Sequence, residues 1–234
     1  MSTSPSVTVV LPAAGTGSRF GQNTNKLFEL FDDQPLWRHA VERFACRQDV
    51  RRVILAVSEQ DRSMFAQQLD RQPTSCPVIM VRGGARRTDS VRQALASIVE
   101  GDVTDLVAIH DAARPLVRQR ELDAVFAKAM QCGAAILAAP VSGTLKRVAG
   151  EGSQTVSRRD MFTALTPQVF SLELIRQAYA HDRGRAATDD AELVERLGRD
   201  VSVVPGSADN LKITYPEDLR LAEALLHECR SEFA

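Results

Sequence analysis

The chain has 234 residues, 44% of them hydrophobic and 25% charged, and its formal net charge is −1. That length carries one sizeable core, and the near-neutral balance excludes the overall basic surface of a nucleic-acid binder, so any positive field must be local to a site. No apolar run approaches the roughly 18 residues of a membrane span, and Met1–Ser6 lacks the apolar stretch of a signal peptide; both predict a cytoplasmic protein with no membrane or nucleic-acid partner. Cys46, Cys76, Cys132 and Cys229 form no C-x-x-C pair, which predicts neither a disulfide frame nor a zinc site. Cys46 and Cys132, near the ends of helical patterns, are expected as small, partly buried thiols.

Val7–Leu11 reads as a buried strand that opens into A-A-G-T-G and then two cations, Arg19 and Lys26. Ala13, Ala14, Gly15, Thr16 and Gly17 carry little side chain, so their main-chain N–H groups can approach phosphate oxygens. The alternative is a plain turn after a first strand. The dinucleotide fingerprint fails because Phe20 stands where its third glycine belongs, and no Gly-Lys-Ser/Thr of a Walker A loop occurs. Arg19 and Lys26 are close enough in sequence, at most roughly 25 Å of extended chain, to share one triphosphate.

Leu27–Leu30 is expected as a short strand and Asp32-Asp33 as a turn, before a helix whose buried face holds Leu36, Trp37, Ala40, Val41 and Phe44. A strand at Arg52–Val57, a helix at Glu59–Leu69 and a strand at Pro77–Val81 follow. This alternation predicts an α/β fold, a parallel sheet with helices on both faces and ligands beyond the carboxyl ends of its strands. The third strand delivers Gly83-Gly84, with a helix expected to start at Thr88 or Asp89. Here Gly84 could admit a planar base and Ser90 offer it a hydroxyl, or the stretch is a tight turn with an N-cap.

Leu106–His110 is the fourth strand and ends on D-A-A-R-P. Asp111 there could ligate Mg²⁺ or another divalent cation, or pair with Arg114 to shape the turn; Asp209 is a second metal candidate. A helix at Arg118–Cys132 and a strand at Ala134–Ala139 come next. Beyond Pro140, residues 141–158 read as a projecting hairpin with a tip at Gly150–Ser153, whose unpaired edges a second subunit would cover. Thr166–Phe170 leads into a helix at Leu172–His181, and Thr188–Leu197 forms another, with Thr188-Asp189-Asp190 as its cap. Val201–Val204 is a strand, and Thr214 with Glu217 makes a capping-box pattern before the last helix. No second domain is legible.

The G-x-G-x-R of Gly15–Arg19, with Lys26 seven residues on, resembles nucleotidyltransferases, although the lysine usually follows a proline and here follows Asn25, which is expected to loosen the loop. Four stretches together narrow this: P-A-A-G-x-G-x-R at Pro12–Arg19, G-G-x-x-R-x-x-S-V at Gly83–Val91, H-D-A-A-R-P at His110–Pro115 and A-D-N-x-K-x-T at Ala208–Thr214. From Val7 to about Leu225 the chain resembles the 2-C-methyl-D-erythritol 4-phosphate cytidylyltransferases of the non-mevalonate isoprenoid pathway. The resemblance implies a single Rossmann-like nucleotidyltransferase domain over residues 1–234, with a mostly parallel twisted sheet and a hairpin arm at 141–158 that joins a homodimer. It also implies CTP as cosubstrate with Mg²⁺. Residues 13–17 would hold the triphosphate, Arg19 and Lys26 would contact its oxygens, and Gly84 and Ser90 would read the cytosine, with Ala85 replacing a commonly acidic contact. Asp111, Ala112 and Arg114 would border ribose and metal, while Thr144 and Arg158 from the neighbouring subunit would join Thr188 and Lys212 on the methylerythritol phosphate. Ribitol 5-phosphate cytidylyltransferases are similar in sequence, and a nucleotide-binding module without turnover is the remaining alternative.

Overall fold

The computed structural model describes residues 5–15, 17, 20, 25–99, 101–182 and 184–228. In chain order its elements are β1 (Val7–Ala13), a 3-10 helix (Lys26–Phe28), β2 (Leu30–Phe31), β3 (Gln34–Pro35), α1 (Leu36–Ala45), β4 (Val50–Val57), α2 (Arg62–Arg71), β5 (Val78–Arg82), α3 (Arg87–Ala96) and β6 (Leu106–Ile109). Then come α4 (Gln119–Cys132), β7 (Ala134–Pro140), β8 (Leu145–Ala149), β9 (Gly152–Val156), β10 (Phe162–Ser171), α5 (Leu172–His181), α6 (Asp190–Glu195), β11 (Ser202–Pro205) and α7 (Pro216–Glu228).

Seven strands form one sheet in the order β11-β7-β10-β6-β1-β4-β5. All neighbours are parallel except β10, which runs antiparallel to both β6 and β7. Side chains alternate across each strand, so Val9, Leu11, Val53 and Leu55 face one core layer with Trp37, Phe44, Phe65 and Phe126. Val10, Ile54, Val107 and Ile109 face the other, with Val91, Leu95, Phe170 and Ile175. Apolar side chains on both faces explain why these strands read as continuous apolar runs, and each one fully buried contributes about 1.5–3 kcal/mol. The mostly parallel sheet flanked by helices is the predicted fold.

Four local expectations change. Residues 162–171 form the strand β10 inside the sheet, where only a lead into a helix was expected. Pro167 hides it: proline cannot donate to a ladder, and it lies where the register with β7 shifts, between Ala164 and Gln168. Lys26–Phe28 is a 3-10 helix instead of the start of a strand, because the Asn25 carboxamide caps it. The cap of α7 is Asp218, whose carboxylate accepts from the N–H groups of Thr214 and Tyr215 at 2.7 and 2.8 Å. Pro216 at the first helical position moves the reciprocal acceptor one residue beyond Glu217. Cys46 and Cys132 are exposed, not partly buried, and with buried Cys76 they are free thiols; Cys229 lies outside the described residues.

Strands β8 and β9 pair only with each other, as the predicted hairpin, and Val148 on it is 71% exposed. No helix of the described residues is long and apolar enough to cross a membrane.

Candidate functional site

The chain runs outward from β1 to β4 and β5, then returns to place β6 on the other side of β1. The order of winding therefore reverses between β1 and β6, and at such a reversal the connections leave in opposite directions and open a crevice at the strands' carboxyl ends. A cleft of about 530 Å³ lies there. It is lined by Ala13, Ala14, Gly15 and Gly17 after β1, by Lys26, by Gly84, Ala85, Arg86, Arg87 and Ser90 after β5, by Asp111 and Ala112 after β6, and by Lys212 and Thr214. The volume suits a ligand of nucleotide size.

Close backbone packing brings the two glycine loops together. A Cβ on Gly83 would lie 2.4 Å from the Ala14 Cβ, and one on Gly84 2.3 Å from the Asp89 Cβ. Glycine is thus required here by the fold itself, before any ligand is considered. Gly17 has φ +65°, and a Cβ there would press on Lys26 at 3.1 Å. Ser90 is buried, and its hydroxyl accepts from the Gly84 N–H at 3.0 Å while donating to the Arg86 carbonyl at 3.3 Å, which leaves one acceptor position.

Asp111 is the electrostatic centre. Its Oδ1 accepts from Arg87 Nε at 3.1 Å, and its Oδ2 accepts from Arg114 Nε at 3.3 Å and faces Lys212 Nζ at 3.0 Å. Burial alone would raise its pKa, but Arg87, Lys212 and Arg114 together hold the carboxyl far below the usual range. Of the two alternatives for this residue the Arg114 pair is present, and one acceptor position remains on Oδ1. Asp209 instead pairs with Arg118 at 2.7 Å and does not line the cleft. Among the described residues no group of three or more His, Cys, Asp or Glu is placed to hold a metal.

Arg87 is the arginine of the G-G-x-x-R-x-x-S-V stretch, but sequence reasoning gave it no role. Besides Asp111 it donates to fully buried Asp190 at 2.7 Å, and Asp190 also accepts from the Tyr179 hydroxyl at 2.5 Å. One guanidinium thus ties the carboxylate after β6 to the first turn of α6. The sequence signals were its fixed place in that motif and an arginine two residues before an aspartate at a helix start, the second of which a solvated face would show equally.

His110 beneath the cleft makes a bond with each ring nitrogen. A carbonyl can only accept, so Nε2–H donates to the Arg114 carbonyl at 2.9 Å; the Thr166 hydroxyl then donates to Nδ1 at 3.1 Å and accepts from the Asp111 N–H at 3.1 Å. Burial lowers the His110 pKa to about 4 from 6.5, the Arg114 carbonyl opposing it. Between those values the unfolded chain binds a proton that the folded chain refuses, so stability falls as pH drops through the window. The full loss is about 3 kcal/mol. Urea unfolding at pH 7 and pH 4.5 should show His110→Gln losing less of its stability than the parent; equal losses would exclude His110 as the cause. His39, also lowered chiefly by burial, adds to the slope in both proteins.

The remaining predicted residues divide. Thr16 and Arg19 lie outside the described residues. Arg114 does not line the cleft but braces Asp111 and donates to the Asn210 carbonyl at 2.6 Å. Thr188 is exposed, and its N–H and hydroxyl both donate to Glu192, at 2.7 and 3.0 Å, as part of the start of α6 that Asp189 caps. Thr144 and Arg158 are exposed on the hairpin and away from the cleft lining, with Arg158 donating to the Ser142 carbonyl.

The family model for 2-C-methyl-D-erythritol 4-phosphate cytidylyltransferase matches residues 7–228. A protein of that name from Rhodopirellula baltica is 58% identical over the full length of both chains. The crystal structure of the protein of that name from Thermus thermophilus is 33% identical, covering 94% of this chain and 98% of that one with a TM-score of 0.77. A 4-diphosphocytidyl-2C-methyl-D-erythritol synthase structure from Anaerococcus prevotii, 23% identical, shares the fold at a TM-score of 0.82, covering 96% of this chain and 100% of the other.

Proposed function

The chain belongs to the 2-C-methyl-D-erythritol 4-phosphate cytidylyltransferase family, and on that premise we propose that its cleft holds CTP along the β1 and β5 loops and the sugar phosphate beside Lys212, with Thr188, outside the lining at the start of α6, on the acceptor side. The enzyme joins CTP to 2-C-methyl-D-erythritol 4-phosphate, giving 4-(cytidine 5′-diphospho)-2-C-methyl-D-erythritol and pyrophosphate for isoprenoid precursor synthesis. One observation carries the division of roles: Lys26 and Lys212, distant in sequence, line the same cleft.

The acceptor's phosphate oxygen attacks the α-phosphorus in line, a new P–O bond forms, and the bond to the β-phosphate breaks as pyrophosphate leaves. A phosphate monoester is already nucleophilic near neutral pH, so the reaction requires no general base. The protein must hold two anions that repel one another and offset charge that grows on the leaving group. N–H groups of Ala13 to Gly17, with Lys26 and Arg19, serve the triphosphate; Gly84 and the open acceptor position of Ser90 serve the cytosine, whose amino group is a donor. Asp111, backed by Arg87 and Arg114, holds the Lys212 ammonium in place, and Ala112 leaves room for ribose.

A lone carboxylate with one acceptor position fits a divalent cation held mainly by phosphate oxygens and water, with Asp111 Oδ1 as the protein's contribution. Such a cation, Mg²⁺ above all, would neutralise charge on the leaving pyrophosphate. What supports a homodimer is the hairpin: among the described residues its strands pair only with each other, Val148 on it is exposed, and neither Thr144 nor Arg158 lines the cleft of its own subunit. Free thiols accord with the cytoplasm.

Pyrophosphate release with purified enzyme, Mg²⁺ and CTP should be at least about tenfold faster with methylerythritol phosphate than with ribitol 5-phosphate, the two differing by a methyl branch and hydroxyl placement. Equal or reversed rates would reassign the acceptor. Alanine at Arg158 or Lys212 should raise KM for the acceptor about tenfold or more and that for CTP by less than about twofold, since each loses a charged contact to the acceptor's phosphate. An equal rise in both would remove those residues from the acceptor side.

A further inference from the structure

Lys26 opens a single 3-10 turn, and such a turn leaves N–H groups at its start in need of acceptors. Asn25 supplies one: its Oδ1 accepts from the Leu27 N–H at 3.1 Å. Its Nδ2 donates to Asp61 Oδ2 at 2.9 Å, a charge-assisted bond, and the Asn25 residue is only 7% exposed. That carboxylate also accepts from the Ser58 hydroxyl at 2.8 Å, and the Ser58 oxygen accepts from the Asp61 N–H at 3.1 Å. Ser58 directly follows β4, whose last residue, Val57, is in register with Ala13 at the end of β1. A continuous set of bonds therefore runs from the sheet edge beneath the phosphate-side loop to the residue before the lysine. The ammonium is placed at its other end, donating to the Ile213 carbonyl at 2.6 Å.

We propose that Asp61, outside the cleft lining, is a positioning residue for Lys26 that acts through Asn25. The Asp61–Asn25 bond fixes the backbone from which a long, flexible side chain departs, so the ammonium is ordered before the triphosphate arrives and less freedom is lost on binding. The bond thereby fixes Asn25 itself, at the position where the replacement of proline was expected to loosen the chain. Its φ of −64° is the value proline imposes, so a hydrogen bond holds here what a ring would hold covalently.

The proposal rests on Lys26 serving CTP, and steady-state kinetics can separate the two. Asp61→Ala should lower kcat/KM for CTP about tenfold, the scale of one bond to a charged group, while KM for the acceptor stays within about twofold. Asp61→Asn, whose carbonyl oxygen can still accept from Asn25, should lose less than about threefold, which separates positioning from any loss of helix α2 stability. In an Asn25→Pro background the same Asp61→Ala change should cost less than about twofold, because the ring now fixes φ. An undiminished loss in that background, or equal losses for both substrates, would overturn the proposal. If Lys26→Ala impairs turnover but Asp61→Ala does not, the link through Asn25 is wrong and the lysine's role stands; if Lys26→Ala is harmless, both fall.

Discussion

Lys26→Ala is expected to lower kcat at saturating CTP by about 10²–10³-fold, the usual loss when one preorganised donor is removed from a site of charge development. The reasoning starts from placement. Lys26 lines the cleft, its stem packs where Gly17 has no side chain, and its ammonium donates to the Ile213 carbonyl at 2.6 Å. That contact takes one of the ammonium's three donors and orients it. Lys212, by contrast, sits on the Asp111 carboxylate at 3.0 Å. Lys26, the cation packed against the phosphate-side loop, is the one placed to meet charge that grows on departing pyrophosphate. Because that charge is larger in the transition state than in bound CTP, the loss should fall on kcat more than on KM. Turnover of the variant within about threefold of the parent, with the fold intact by circular dichroism, would remove Lys26 from the chemistry.

How much of this was legible in the sequence follows from which forces are local. An apolar run ending in small residues announces β1 and its loop because both depend on neighbouring residues alone, and the same holds for β6 ending at Asp111. The meeting of Lys26 with Lys212 in one cleft was implied by the family resemblance, and the winding reversal between β1 and β6 gives its physical cause. Strand β10 was illegible because its identity is set by partners on both sides, and Pro167 argued against it locally. Asn25 and Asp61 looked like ordinary loop polars; only their 2.9 Å contact across 36 positions reveals a joint role. Gly84 was read as admitting a base or as part of a tight turn, whereas contacts of Gly83 with Ala14 and of Gly84 with Asp89 already demand glycine at both positions. Sequence patterns show what a segment prefers, and they are silent on pairings between segments.

Arg87 is the extreme case of such a pairing, and Arg87→Met is expected to cost about 3 kcal/mol of stability. Its guanidinium spans two carboxylates, Asp111 at 3.1 Å and Asp190 at 2.7 Å, and is itself 27% exposed. Burial would lower its pKa, but Asp190 and Asp111 raise it further still, so it carries a full charge at every accessible pH. Without it, fully buried Asp190 keeps the Tyr179 hydroxyl and loses its counter-charge, and that uncompensated anion dominates the cost. Asp111 fares better, since Arg114 and Lys212 remain. If the stranded charge is the cause, Arg87→Met with Asp190→Asn should recover most of the loss in denaturant unfolding, because a neutral amide needs only hydrogen bonds. Activity should behave differently. The double variant restores charge balance but not the tie between β6 and α6, so kcat/KM for the acceptor should stay depressed while stability returns. A single variant within about 1 kcal/mol of the parent, or a double variant no more stable than the single, would show that Arg87 does not neutralise Asp190 in the folded protein.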